Sequence, residues 1–190
     1  KEKGLRVTAF LMLATQSPWD FVQKIIEKIL KEGAIDAIAL PDTRGTCLPR
    51  ALYHFVRRVK SLTDKCIEIH PHNTYGMGTA GALAGVMAGA EVIHTCVNGL
   101  GEGGGNAPLE TVAVDLELML GIETGLKLEK LYEVSQLVEK LSQIQLQANW
   151  PLVGERVFTQ ESGIAVDAGF KLARAGKANP PGTDIAGIIG

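Results

Sequence analysis

The stretch IEIHPHNTYGMGTAG, residues 67–81, changes its periodicity halfway along. Ile67 and Ile69 belong to a short β-like run. The last residues open the small-residue segment MGTAGALAGVMAGA (77–90), which reads as a helix packed closely against a neighbour. A polar, glycine-containing loop lies between them, so strand, loop and helix make one β-α unit. The strand ends on two histidines one residue apart. Alternation along a strand points His70 and His72 to the same side. Two imidazoles side by side in a core are costly unless something binds them, and a divalent metal is the usual partner.

The alternation continues on both sides of this unit. LRVTAFLML (5–13) is rich in strand formers, and SPWDFVQKIIEKILKEG (17–33) follows as a helix with Ser17 as N-cap, Pro18 at its first position and Gly33 as its stop. AIDAIALPDTRG (34–45) is a strand running into a loop, LPRALYHFVRRVKSL (48–62) an amphipathic helix and CIEIHPHN (66–73) the third strand. EVIHTCVNGLGEGGGN (91–106) is a fourth strand leading into a glycine loop, and APLETVAVDLELMLG (107–121) another helix. Four β-α units in a row predict a parallel sheet with right-handed crossovers. The polar loops follow the strands, and α/β folds build their sites on that edge. Beyond this, 125–146 reads as one long amphipathic helix, followed by irregular sequence. The expected division is 1–124 for the four units and 125–190 for an extension.

The bulk properties remove several function classes. The chain has 190 residues, 46% of them hydrophobic, which suits one domain with a sizeable core. A formal net charge of -2 with no basic block gives no electrostatic case for nucleic acid or an anionic membrane. Apolar runs are broken well before the roughly 18 residues of a membrane span. Three cysteines, Cys47, Cys66 and Cys96, without a paired spacing argue for reduced thiols and a cytoplasmic setting. The chain begins at Lys1 rather than Met, which leaves room for an upstream segment.

Three constellations carry candidate chemistry. His70 and His72 would hold a divalent metal through neutral imidazole nitrogens, with oxygens completing the shell. That donor set leaves Mg, Mn, Fe, Co and Zn open. GLGEGGGN (99–106) is either a flexible loop or a loop whose glycines allow a ligand close to the backbone. Its spacing is not that of a dinucleotide fingerprint. Asn106 at its end is a helix N-cap or a metal ligand. In PDTRGT (41–46), Asp42 makes an Asx turn, or Asp42 and Thr43 line the same mouth as the histidines while Arg44 pairs with an acidic substrate group. His54 and His94 read as structural, and Cys47 as a half-buried loop residue.

IALPDTRG, HPHNTYGMGTAGALAGVMAGAEVIHTCVNGLGEGGGNAPLE and PLVGERVFTQESGIAVDAG occur in this order. Together they resemble the second half of the metal-dependent TIM-barrel condensing enzymes and lyases. These include isopropylmalate, homocitrate and citramalate synthases, hydroxymethylglutaryl-CoA lyase and the biotin-dependent carboxyltransferases. The resemblance implies strands five to eight of a TIM-type (β/α)8 barrel, plus a C-terminal helical extension. It implies His70, His72 and Asn106 as ligands of a divalent metal (Mg, Mn or Zn). It further implies Thr43, Asp42, Arg44, Thr74 and Gly101 around the substrate and Glu102 as a catalytic residue. The substrates it implies are a 2-oxoacid and an acyl-CoA, with acetyl-CoA the expected donor. A half-barrel has two open sheet edges that must be covered, so the missing first half, in the same or another chain, and a homo-oligomer are the expected partners.

Departures from the family pattern bear on the reaction. The first-strand D-x-T-L-R-D-G motif, source of an aspartate ligand and an arginine, is not in this chain. Gly103 stands where an arginine is usual, and Gln160 and Ala165 where the synthases carry histidines. The GNAPLE segment and the tail resemble the synthases, and the glycine loop lacks the lyase cysteine, so acyl-CoA condensation is the favoured reaction. HNTYG leans the other way, toward a lyase. Carboxyl transfer and a non-catalytic half-barrel subunit are further alternatives.

Overall fold

A computed structural model describes residues 3–157 together with 159, 162 and 163. All four expected strands form: β1 (Thr8–Phe10), β2 (Ala37–Asp42), β3 (Cys66–Pro71) and β4 (Val92–Ile93). Helices α1 (Trp19–Glu32), α2 (Pro49–Lys60), α3 (Gly78–Met87) and α4 (Leu109–Leu120) follow them in turn. The sheet order is β1-β2-β3-β4 and every neighbouring pair is parallel. This alternating architecture is that of part of a (β/α)8 barrel, with further helical structure following it in the chain.

The period of two along the strands sorts the core from the site. Ile38, Leu40, Ile67 and Ile69 join Val22 and Ile26 of α1 and Leu52, Val56 and Val59 of α2 in one apolar cluster. Each such side chain, fully buried, contributes about 1.5–3 kcal/mol. The alternate positions, Ala37, Ala39 and Pro41 on β2 and Glu68 and His70 on β3, belong to the other face. The small-residue run of α3 works as the sequence suggests: a Cβ at Gly85 would lie 2.3 Å from Ile69 Cδ1, and one at Gly81 3.4 Å from Leu52 Cδ2. Glycine at these places lets α3 lie directly on β3 and α2.

Several local expectations are corrected. Ser17 is not the cap of α1. Its hydroxyl donates to Leu13 O, and the Phe21 and Val22 amides turn to Pro18 O. Pro18 itself takes φ -55° and ψ 136°, outside the helix, so the cap position falls on Pro18. β1 is shorter than 5–13 because Leu13 turns left-handed (φ 60°) into a 3-10 turn, Ala14–Gln16. β4 contributes only two residues to the sheet, and the chain then folds into a 3-10 turn at Val97–Gly99. The long helix expected over 125–146 is shorter: a 3-10 turn, Leu128–Lys130, leads into α5 (Leu131–Ser142). Gly125 at φ 72° delays its start and Gln143 at φ 59° ends it.

The chain divides into compact units, residues 1–116 and 117–190. In the second, Leu128, Leu131, Ser135 and Val153 are buried, and the Glu117 carboxylate accepts the Thr124 amide and hydroxyl. No described helix is long and apolar enough to cross a membrane. All three cysteines are free thiols. Gln160 and Ala165 lie outside the described residues.

Candidate metal centre

His70 is the penultimate residue of β3, in register with Pro41 of β2. His72 lies just past the strand end and forms an isolated antiparallel bridge with Asn106. Two backbone hydrogen bonds zip the two loops together, Asn73 N–H to Gly105 O and Ala107 N–H to Pro71 O, and a third, Asn106 N–H to Gly99 O, closes the glycine loop on itself. Asn106 is therefore not the cap of α4. Val112 N–H bonds Pro108 O instead, and the Asn106 side chain turns to the histidines.

Of the three predicted ligands, His72 and Asn106 both reach the ring nitrogen of His70. His70 Nε2 lies 3.1 Å from His72 Nε2 and 3.0 Å from Asn106 Nδ2. An amide nitrogen can only donate, so two groups crowd one lone pair. Two nitrogens held by one ion at about 2.1 Å and at right angles lie about 3.0 Å apart. The pair thus has the spacing of two ligands of one cation, and turning the Asn106 amide over would present its oxygen to the same point. Burial lowers the His70 pKa, and His72 and His94 lower it further, which favours the neutral, ligating imidazole. The residues fit a divalent metal. The set lacks an anion, however: no group of three His, Cys, Asp or Glu suited to a metal occurs among the described residues.

Glycines give this arrangement its room. A Cβ at Gly101 would lie 1.8 Å from Asn106 Oδ1, one at Gly104 2.5 Å from Thr74 Cα, and one at Gly105 2.0 Å from Gly99 O. Gly45, at φ 63°, brings the β2 loop against His72 O in the same way. The glycine loop is a packed element that seats Asn106.

The other predicted residues divide. Asp42 takes the turn-making option: it is buried, its carboxylate accepts the Cys47 amide at 2.8 Å and the Thr15 hydroxyl at 3.3 Å, and its carbonyl accepts the Gly45 amide. Thr43 Oγ1 accepts the Leu13 amide at 2.9 Å and keeps its hydroxyl proton to give. Arg44, Thr74, Gly101 and Glu102 are exposed on the loops at this end of the sheet. Burial, and then the Asp42 charge, push the Cys47 thiol up to about 11, so it is an inert thiol.

Sequence reasoning missed Glu68 and His94. Glu68 is buried on the same face of β3 as His70. Its carboxylate takes Arg6 at 2.7 Å, Thr8 at 3.3 Å and His94 at 3.2 Å. His94, read as merely structural, stands beside His70 with ring centroids 5.4 Å apart. The available signal was a charged residue two positions before His70 in an otherwise apolar strand. His54 is exposed on α2 beside Tyr53, away from this cluster.

The sequence profile described as HMGL-like matches residues 1–138. This chain belongs to the HMGL-like family. Among the relatives of this HMGL-like chain, 2-isopropylmalate synthase of Methanocaldococcus jannaschii is 44% identical over 164 residues, covering 86% of the chain and 32% of the relative. A candidate (R)-citramalate synthase of Archaeoglobus fulgidus is 40% identical, covering 92% of the chain and 36% of the relative. The HMGL-like chain thus spans about a third of the length of these curated relatives. Among solved structures, an HMG-CoA lyase of Bacillus subtilis superposes with a TM-score of 0.67 at 25% identity, covering 76% of this chain and 52% of that one. An HMG-CoA lyase from Acinetobacter baumannii, in complex with coenzyme A and 3-methylmalate, superposes with a TM-score of 0.61 at 26% identity, covering 86% and 49%.

Proposed function

We propose that this chain is the metal-binding side of a barrel enzyme that condenses an acyl-CoA, acetyl-CoA in the first instance, with a 2-oxoacid. The observation that carries the reading is the approach of His72 and Asn106 to within 3.1 Å of His70 Nε2 at the C-terminal end of a parallel sheet. Relatives named as synthases at 40–44% identity support it. Residues 1–124 would supply four of the eight β-α units, with 125–190 as extension. The other four units, and with them an anionic ligand, would come from the rest of the barrel, and self-association of the whole is part of the proposal.

A divalent metal on these three residues would act as a Lewis acid toward the oxo group of the substrate. The chain's own residues would do the rest. Thr43 would donate its free hydroxyl proton to the oxoacid carboxylate, and Arg44 would neutralise that carboxylate from the rim. Thr74 and Gly101 would border the substrate. Glu102, solvated on the glycine loop, would take the proton from the acyl carbon. That carbon would bond to the oxo carbon of the acceptor, and water would then cleave the thioester and release the CoA thiol.

A second reading runs the carbon–carbon step in the direction of cleavage. The likeness of the fold to HMG-CoA lyases favours it. Thiol release from acetyl-CoA against a panel of 2-oxoacids, with Mg or Mn and with chelator, tests the two in the complete assembly. Metal-dependent release with one oxoacid is expected. Release with none, alongside cleavage of a hydroxyacyl-CoA, would replace condensation by the lyase reading. An assembly that binds no metal would overturn both.

A further inference from the structure

A histidine that binds a metal through one ring nitrogen is ordinarily held by a hydrogen bond on the other, and loss of that outer partner costs about 10–100-fold in metal affinity. His70 departs from this. Its Nε2 faces His72 and Asn106, while its Nδ1 is buried and has no hydrogen-bond partner among the described residues. Something else must fix the plane of the ring.

Two other rings are placed to do so. Phe10 of β1 and His94, just beyond β4, stack with centroids 6.2 Å apart and only 7° between their planes. Both stand steeply against His70: Phe10 at 5.5 Å and 69°, His94 at 5.4 Å and 71°. Phe10 and His94 thus form one slab, and the His70 imidazole is set across it. The slab is tied down at one end. Glu68 Oε2 holds His94 Nε2 at 3.2 Å, and Glu68 is itself only 4% exposed. Its other oxygen is occupied by Arg6 at 2.7 Å and Thr8 at 3.3 Å. Neither group of the carboxylate–imidazole pair is placed as a ligand. Glu68 lies two residues back along the strand from His70, and the Nε2 of His94 is spent on Glu68.

We propose that His94, anchored by Glu68, is the positioning residue of the His70 imidazole, replacing by aromatic packing the hydrogen bond that Nδ1 lacks. The role rests on the reading of His70 as a metal ligand, but the lock itself exists without metal and is testable there.

The experiment uses the complete assembly with its histidines labelled at Cε1. Carbon relaxation reports the order of the His70 ring in metal-free protein, and Mn2+ affinity is measured in parallel by electron paramagnetic resonance. His94→Asn keeps a donor for the buried Glu68 but removes the ring. It is expected to loosen the His70 ring and weaken Mn2+ binding about 10-fold or more, while the exposed His54 signal is unchanged. Glu68→Gln, which keeps an acceptor for His94, is expected to retain most of both. A merely structural ion pair would not move the His70 ring. An ordered His70 ring with unaltered Mn2+ affinity in His94→Asn would overturn the proposal, and so would an ordered His70 ring in His94→Asn alone. Wild-type protein that binds no Mn2+ would overturn the functional reading instead, leaving the ring-order comparison to decide the lock.

Discussion

Strands β3 and β4 lie side by side, and each leads to part of the same centre, but by opposite means. β3 has six residues, pairs with β2 along its whole length, and delivers His70 from within the ladder. β4 pairs through two residues only, and Asn106 arrives at the end of a folded loop thirteen residues beyond Ile93. A side chain on a strand is aimed by the sheet. A side chain on a loop is aimed by whatever packs the loop, here glycines at contact distance, two backbone hydrogen bonds to the end of β3 and its loop, and one that closes the glycine loop on itself. The first mechanism spreads its stability over the whole core; the second concentrates it in a few backbone atoms.

Substitutions on the two sides should therefore behave differently. The largest effect is expected at the β3 side, on binding alone. His70→Ala or His72→Ala should abolish metal retention after desalting, by more than the roughly 100-fold that loss of an outer partner costs, with assembly intact. Metal content equal to wild type would remove the centre from this strand. On the loop side the effect should reach stability. Gly105→Ala puts a Cβ 2.0 Å from Gly99 O at φ 82°. Overpacking and left-handed strain together should cost about 3 kcal/mol in denaturant unfolding. Gly101→Ala meets a side-chain atom rather than backbone, Asn106 Oδ1 at 1.8 Å. It should displace that amide and weaken metal binding about 10-fold with a small change in stability. Gly103 has φ 62° and nothing within 4 Å. Gly103→Ala should cost only about 1 kcal/mol of left-handed strain and leave metal affinity unaltered. Equal losses at Gly103 and Gly105 would mean that the loop is not packed as described.

The same contrast decided what could be read from the chain in advance. The β-α alternation, the shared face of His70 and His72 and the tight packing of α3 follow from periodicity and residue size, and all three are seen. For Asn106 the residues leave helix cap and metal ligand both open, and only likeness to a family favours the ligand, because nothing in GLGEGGGN says which way its last side chain turns. Asp42 was open between two uses, and the choice rests on the Cys47 amide five residues on, a contact that no period encodes. The cap falls one residue after Ser17 because Pro18, with ψ 136°, still lies outside the helix, and no capping preference of serine predicts that dihedral. His94 was set aside as structural since its partner, Glu68, sits on a different strand, and pairing between strands is invisible until the register is known.

The antiparallel bridge between His72 and Asn106 has a consequence for length. Loops at the surface usually accept an added residue. This one is clamped at Gly99, Gly105 and Ala107, so the span from Gly99 to Asn106 works as a gauge counted off against the neighbouring loop. One residue more or fewer between Gly99 and Gly105 would have to displace Asn106 or break one of these bonds, while every amino acid of the centre was still present. Inheritance of this centre is inheritance of a count as well as of a set of side chains.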